Sequence, residues 1–450
     1  MSVNKVVAII GGGAGGMTTA AQLKKYDSSI DVVVFEKSSY VAWAGCPTPY
    51  FIANELPFGS VAHYTPEHFR NIKGIQIYDN HEVEKINFDS NSLIVKGEQF
   101  NGEFKYDELV ISTGGTPFTP PIKGYSKDIK GIFRLSHAVD AINIKKYIEN
   151  DKPKKGVIIG SGFIGIEMAE SLSLNSIETV VVEKIDRIFP MFSKKLLAPV
   201  YKKFEEKNIK LILNNSVDEI FSENGKVTGV KLNDGSTIDA DIIMMTIGTR
   251  PNTELIEKSG FQLNENSRVY VDEHLKTYIP NVYALGDMIF TDNIITGKKV
   301  YAPFGDVADK QGIVVASNIT GTPMKWKGVM GTFATSFFDV RLSKTGLTLE
   351  EAKENGFNAG SVSLKAFTKV PGFADSRANS IEVVYDKDSE TILGAFMVGY
   401  EAVAQFIDQF AIAIKFKLNL EDLFDVDYAY SPTNSTVWNP FLAAFRKILR

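Results

Sequence analysis

Apolar and polar residues fall in blocks along this chain, and the blocks switch between two periods. Residues 5–10 (Lys-Val-Val-Ala-Ile-Ile) form a short apolar run ended by glycines, the pattern of a buried parallel strand. Residues 17–25 take up helical spacing, residues 31–35 return to an apolar run, and an acid, Glu36, ends it. The same order then returns. Residues 156–159 read as strand, a helix follows through Glu167 and Glu170, residues 178–182 are a second strand, and Glu183 closes the unit. This repeat predicts an α/β fold with two Rossmann-like units.

Residues between and after these units have other patterns. Residues 81–86, 93–96 and 105–106 predict a small antiparallel insert, and residues 108–112 an apolar strand closing on Thr113-Gly114-Gly115. Residues 57–70 are mixed, and His63 and His68 read as surface residues rather than metal ligands. Residues 116–121, with three prolines, read as a crossing linker. A second crossing, Thr249-Arg250-Pro251-Asn252, follows the apolar run that ends at Gly248. A short strand then delivers Gly286-Asp287, and a helix over 307–320 completes the first unit. From residue 325 the runs at 362–367, 381–385 and 392–398 predict strands. A capping box, Thr348-x-x-Glu351, and an apolar helix over 402–415 make this an α+β domain without a glycine fingerprint. The expected domains are 1–117 with 249–324, then 118–248, then 325–450. The last stretch, 438–450, is amphipathic and basic, the pattern of a core or dimer contact, with a membrane-surface foot as the alternative.

The glycines give the repeat its chemistry. Gly11-Gly12-Gly13-Ala14-Gly15-Gly16 and Gly160-Ser161-Gly162-Phe163-Ile164-Gly165 each spell G-x-G-x-x-G between strand and helix. The first two glycines permit a tight turn and close approach of backbone to a pyrophosphate. The third lets helix pack on strand, and the terminal acid accepts from a ribose hydroxyl. A lone glycine triplet is weak evidence; strand, triplet, helix, strand and acid in register are strong. Two fingerprints imply two dinucleotides, most economically FAD on the first and NAD(P)H on the second. Glu183 favours NADH, since a 2′-phosphate would meet a carboxylate, while Lys184 beside it keeps NADPH open. The Asp287 carboxylate is placed to bond ribityl or pyrophosphate groups, with a helix cap as the bland alternative.

Bulk properties narrow the rest. A formal net charge of −5 argues against a nucleic-acid partner. No apolar run approaches the ~18 residues of a spanning helix, so no integral membrane segment is expected. The chain opens on a strand with no room for a signal peptide, which points to the cytoplasm. Cys46 is the only cysteine, so neither an internal disulfide nor a two-cysteine redox centre is possible. A lone cysteine is commonly a small buried apolar residue. Here it lies a short way beyond Glu36, where the loop leaving the first unit can carry a thiol towards a bound flavin. Pro47 next to it predicts a helix start, whose dipole would lower the thiol pKa.

Taken together, these motifs make the chain similar to the single-cysteine branch of the FAD-dependent pyridine nucleotide–disulfide oxidoreductases. That branch includes coenzyme A–disulfide reductases, NAD(P)H:sulfur oxidoreductases, and NADH oxidases and peroxidases. The resemblance spans nearly the whole chain and implies a homodimer built through the C-terminal domain. It implies that Gly11, Gly13, Gly16 and Glu36, with Ala14 and Gly15 between them, bind FAD. Val83 would contact the adenine through its backbone, and Thr113-Gly114, Gly286-Asp287 and Ala302 would complete the site. It implies that Gly160, Gly162, Gly165 and Glu167 match the nicotinamide motif, with Phe163 as its gate; Ile164 and Gly248 are further cofactor-binding candidates. Cys46, followed by Pro49-Tyr50, matches the redox cysteine, and Tyr430 an active-site tyrosine lent by the other subunit. The implied reaction moves electrons from NAD(P)H through FAD to Cys46, which reduces coenzyme A disulfide, polysulfide or sulfur. The departures are informative. The family's two-cysteine members carry a histidine near the C-terminus, but the last histidine here is His274. Its oxidases and peroxidases carry one in the first glycine loop, where Ala14 stands. Ala42 and Gly45 replace a serine and an asparagine usual in the coenzyme A–disulfide reductases, and Lys369-Val370 replaces a second tyrosine. A thiol-independent NADH oxidase or NADH:quinone oxidoreductase is the alternative.

Overall fold

The computed structural model describes residues 4–263 and 268–448. The first sheet is parallel, in the order Val282–Ala284, Glu108–Ile111, Val6–Ile10, Asp31–Glu36, Gln76–Asp79. Its strands are apolar and buried, and helices Ala14–Tyr26 and Gly305–Ile319 pack together beside them. The second sheet repeats the plan, in the order Lys210–Ile212, Glu178–Val182, Lys155–Ile159, Ile242–Met245, Ile132–Phe133. Three-stranded antiparallel inserts lie at Glu82–Asn87, Ser92–Lys96 and Gly102–Lys105 and, in the second unit, at Val217–Glu223, Lys226–Leu232 and Thr237–Asp239.

The two proline-containing crossings are not simple linkers. Gly115–Pro117 and Thr249–Pro251 pair antiparallel with each other, so both passages between the units run as one two-stranded ribbon. Arg250 stacks its guanidinium 3.7 Å over the Phe118 ring beside it.

The C-terminal sheet is antiparallel, in the order Phe333–Phe337, Val340–Gly346, Ile392–Gly399, Ala378–Asp386, Ala359–Phe367. The first two of these strands are not apparent in the sequence pattern. The capping box forms as expected: Thr348 Oγ1 accepts from Glu351 N, and Thr348 N donates to Glu351 Oε2. The helix expected over 402–415 is Val403–Lys415. The terminal helix Pro440–Ile448 turns Phe441 and Ala444 into the domain's own core, so the core contact, not the membrane foot, is what the fold provides. The sequence-stretch ends at 1–3 and 449–450 lie outside the described residues. No described helix is long and apolar enough to cross a membrane.

Candidate active site

Both glycine turns have the same backbone. Gly11 and Gly160 sit at φ +101° and +100°, a region that side chains avoid. A Cβ at Gly16 would stand 2.0 Å from Gly11 O, and one at Gly165 would stand 2.1 Å from Gly160 O. Those glycines are demanded by the fold. Gly13 and Gly162 differ, because a Cβ there would meet nothing within 4 Å and their φ is ordinary. Bare backbone at these two positions leaves an open cradle at a helix start, the shape a pyrophosphate fits. Ala14 and Gly15, and Phe163 and Ile164, begin the two helices that follow.

The terminal acids organise these loops. Glu36 accepts from Gly12 N at 2.8 Å and from Ser38 N at 2.8 Å. Glu183 accepts from Ser161 N and Oγ and from Ile185 N. Val83 is buried in the insert, which is hung from the first sheet where His81 N donates to Glu36 O. Thr113 and Gly114 are knotted to the crossing: Asn252 Nδ2 donates to Thr113 O, and Asn252 N to Gly114 O. Gly248, at φ +91°, precedes the same crossing. Gly286 N donates to Gln311 Oε1, and Ala302 lies buried nearby in the chain. Asp287 is the exception in this well-bonded set. No described donor reaches its carboxylate, and burial pushes its pKa up to about 6. A partly buried carboxylate whose raised pKa has desolvation as its cause is a fit for the hydroxyls of a polyhydroxylated cofactor.

Cys46 lies in a tightly tied loop. Ala42 N donates to Gly12 O of the first glycine turn, Ala44 N to Val61 O, and Thr48 N and Oγ1 both to Gly45 O. The short helix Thr48–Ile52 starts after Pro47, with Pro49 in its first turn. Five residues give little dipole, and the pKa goes the other way from the sequence expectation. Loss of water around the sulfur raises the thiol pKa, and the Glu167 charge adds to it. The side chain still opens to solvent.

The helix after Cys46 does not stay with the first unit. Phe51 and Ile52 join the core of the second unit and the C-terminal sheet. Asn175 Nδ2 donates to Ile52 O, Lys145 Nζ to Phe51 O, and Trp43 packs on His137. Tyr50 Oη and Ser336 Oγ are 3.1 Å apart, and Thr335 Oγ1 donates to Glu167 Oε1 at 2.9 Å. Burial holds the Glu167 carboxyl up at about 7. Phe163 sets its edge on Phe333 with ring centres 4.5 Å apart. The site is thus a three-way junction of the cysteine loop, the second glycine helix and the C-terminal sheet. Tyr430 is not brought to it within one chain; its side chain is 52% exposed. Thr335 and Ser336 carry no motif, and Asn252 reads in the sequence only as the end of a crossing.

Family and structural comparisons agree on the class of protein. The model of the pyridine nucleotide-disulphide oxidoreductases matches residues 5–318, and that of their dimerisation domain matches residues 332–440. A protein of Methanocaldococcus jannaschii named NADH oxidase is 34% identical over 449 residues, 98% of each chain. A CoA-dependent NAD(P)H sulfur oxidoreductase of Pyrococcus abyssi is 32% identical, over 99% of this chain and 98% of the other. An NAD-dependent persulfide reductase from A. fulgidus superposes with a TM-score of 0.94 at 30% identity, covering 99% of this chain and 83% of that one.

Proposed function

This chain belongs to the pyridine nucleotide-disulphide oxidoreductase family, and we propose that it reduces a small sulfur substrate at Cys46 with electrons from NAD(P)H. The observation that carries this reading is the placement of the only cysteine. Its loop is bonded to the first glycine turn at Ala42–Gly12 and packed on the helix of the second. In our reading, residues 1–117 with 249–324 hold FAD, 118–248 hold the nicotinamide, and 325–450 make a homodimer. Gly13, Glu36, Thr113, Gly114, Asp287 and Ala302 would hold FAD, and Gly162, Phe163, Glu167 and Glu183 the nicotinamide. When bound, FAD supplies a two-electron relay between nicotinamide and thiol.

The chain's own part is thiol chemistry. The Cys46 thiolate attacks one sulfur of R–S–S–R, that bond breaks, and one thiolate leaves with its electron pair. The resulting Cys46–S–S–R bond then takes up the two electrons of NAD(P)H, which restores the Cys46 thiolate and frees the second thiolate. The balance is NAD(P)H, one proton and one disulfide to NAD(P)⁺ and two thiols. Coenzyme A disulfide and polysulfide are the substrate classes suggested by relatives named for them. Tyr430, exposed on one chain, would serve the partner's thiol in the homodimer. The dimerisation-domain match and the exposed Phe367, Phe373, Trp438 and Phe416 support that assembly. A cytoplasmic setting suits a chain whose one cysteine works as a thiol.

The M. jannaschii relative favours a second reading, direct reduction of oxygen. Anaerobic NADH consumption with coenzyme A disulfide and with polysulfide, for wild type and Cys46→Ser, separates the two. Loss of turnover in the serine variant is expected. Full turnover in that variant, or turnover only in air, overturns the thiol mechanism.

A further inference from the structure

One face of the second glycine helix lies along the outer edge of the C-terminal sheet. Phe163, Glu167 and Glu170 share that face of the helix Phe163–Leu174, spaced at i, i+4 and i+7. They meet the edge strand Phe333–Phe337 and its turn in the same order. The Phe163 ring sets its edge on Phe333, Thr335 Oγ1 donates to Glu167 Oε1, and Phe338 N donates to Glu170 Oε2. Among the described residues this strand pairs only with Val340–Gly346, so its outer side takes these contacts. The two acids are held differently. Glu170 is buried on a backbone N–H, with Arg341 and Lys207 acting on it. Glu167 is partly buried, and its one described donor is the Thr335 hydroxyl. Loss of water raises its pKa to about 7, the Thr335 bond opposes that rise, and the Glu170 charge adds to it. Cys46 and Tyr50 of the cysteine segment feel the Glu167 charge, and the edge strand carries no ionisable side chain. Glu167 thus titrates close to neutral pH, where one hydroxyl bond weighs on how much of it is charged.

We propose that Thr335 is a positioning residue for the nicotinamide site, resting on the assignment of Glu167 to that site. Its hydroxyl fixes one oxygen of Glu167, and the carboxylate so held attracts the cationic ring of NAD⁺ but not the neutral ring of NADH. A donor to a carboxylate favours its charged form, so the C-terminal sheet sets how much of that charge is present at neutral pH. No described donor reaches the second oxygen, Oε2, which is left for the bound ring. Valine in place of Thr335 keeps the β-branched shape that suits a strand and removes only the donor.

The test is equilibrium binding to the FAD-loaded protein across a pH series centred on about 7. NAD⁺ is titrated in parallel with tetrahydro-NADH, whose ring is neutral and cannot give up hydride. In wild type, NAD⁺ should tighten as pH rises through about 7 and release protons on binding below it, while tetrahydro-NADH binds evenly. Thr335→Val should move that rise to higher pH and weaken NAD⁺ about threefold or more at neutral pH, and Thr335→Ser should restore it. Glu167→Gln should bind NAD⁺ with no rise. A rise that Thr335→Val leaves in place, or that serine does not restore, overturns the proposal. A rise that survives in Glu167→Gln overturns the assignment of Glu167 to the nicotinamide site as well. No sulfur substrate enters the titration, so its outcome stands whether or not Cys46 proves to be the reducing group.

Discussion

Thr335 of the C-terminal sheet donates a 2.9 Å hydrogen bond to Glu167 on the helix of the second glycine loop. The next residue, Ser336, meets Tyr50, four positions beyond Cys46. One edge strand thus fastens the helix of the second glycine loop and the thiol segment in the same place.

Desolvation is the larger cause of the raised Cys46 pKa, and this arrangement adds the Glu167 charge to it. Glu167 titrates at about 7, below the range of the Cys46 thiol, so it is charged whenever the thiol ionises. Its charge opposes a second negative charge nearby. Glu167→Gln should therefore move the pH profile of Cys46 alkylation to lower pH and raise the rate at neutral pH about threefold or more. An unchanged profile would show that the carboxylate does not reach the sulfur.

Asp287 makes a stability prediction with a definite sign. Its folded pKa of about 6 lies above the usual 3.8, so the folded state holds the proton longer than the unfolded chain. That contribution is complete below about pH 4 and is lost as pH rises through 6. Cofactor-free Asp287→Asn should match wild type at pH 4 and be more stable at pH 7.5, on the order of 2–3 kcal/mol. The same variant should retain FAD less well. Thermal melts at both pH values and flavin content on purification check the two halves.

The glycines should divide by what surrounds them. Gly16→Ala and Gly165→Ala force a Cβ into backbone oxygen and should give poorly folded protein. Gly162→Ala meets no protein atom, so melting temperature and FAD content should hold while KM for NADH rises about tenfold. Melting with an unchanged KM would remove Gly162 from the dinucleotide site.

Asn175→Ala removes the donor to Ile52 O and the bond from Asn54. It should cost about 1–2 kcal/mol and lower kcat with FAD content unchanged, because only the seat of the cysteine helix is loosened. Denaturant unfolding and turnover on one preparation test this.

Much of the molecule is written locally. Strand, glycine turn, helix and terminal acid follow from hydrophobic period and glycine spacing, and both turns adopt the same backbone as a result. The Thr348 capping box likewise depends only on residues within one turn. Identity of the thiol needed only a count, since Cys46 has no rival.

What sits against what was not written there. Periodicity shows that a face is apolar, not which surface covers it. Phe51 and Ile52 follow the first fingerprint in sequence, but they are buried with the second unit. The strands Phe333–Phe337 and Val340–Gly346 mix polar and apolar residues, because their hydroxyls face Glu167, Tyr50 and each other's backbone. The direction of the Cys46 pKa depends on the same long-range contacts. A proline beside a thiol suggests a helix start and a lower pKa, whereas the real environment is set by long-range packing that removes water and brings in Glu167. The sequence determined two dinucleotide cradles and one thiol; tertiary structure alone decided how they meet, because desolvation and charge proximity depend on neighbours distant along the chain.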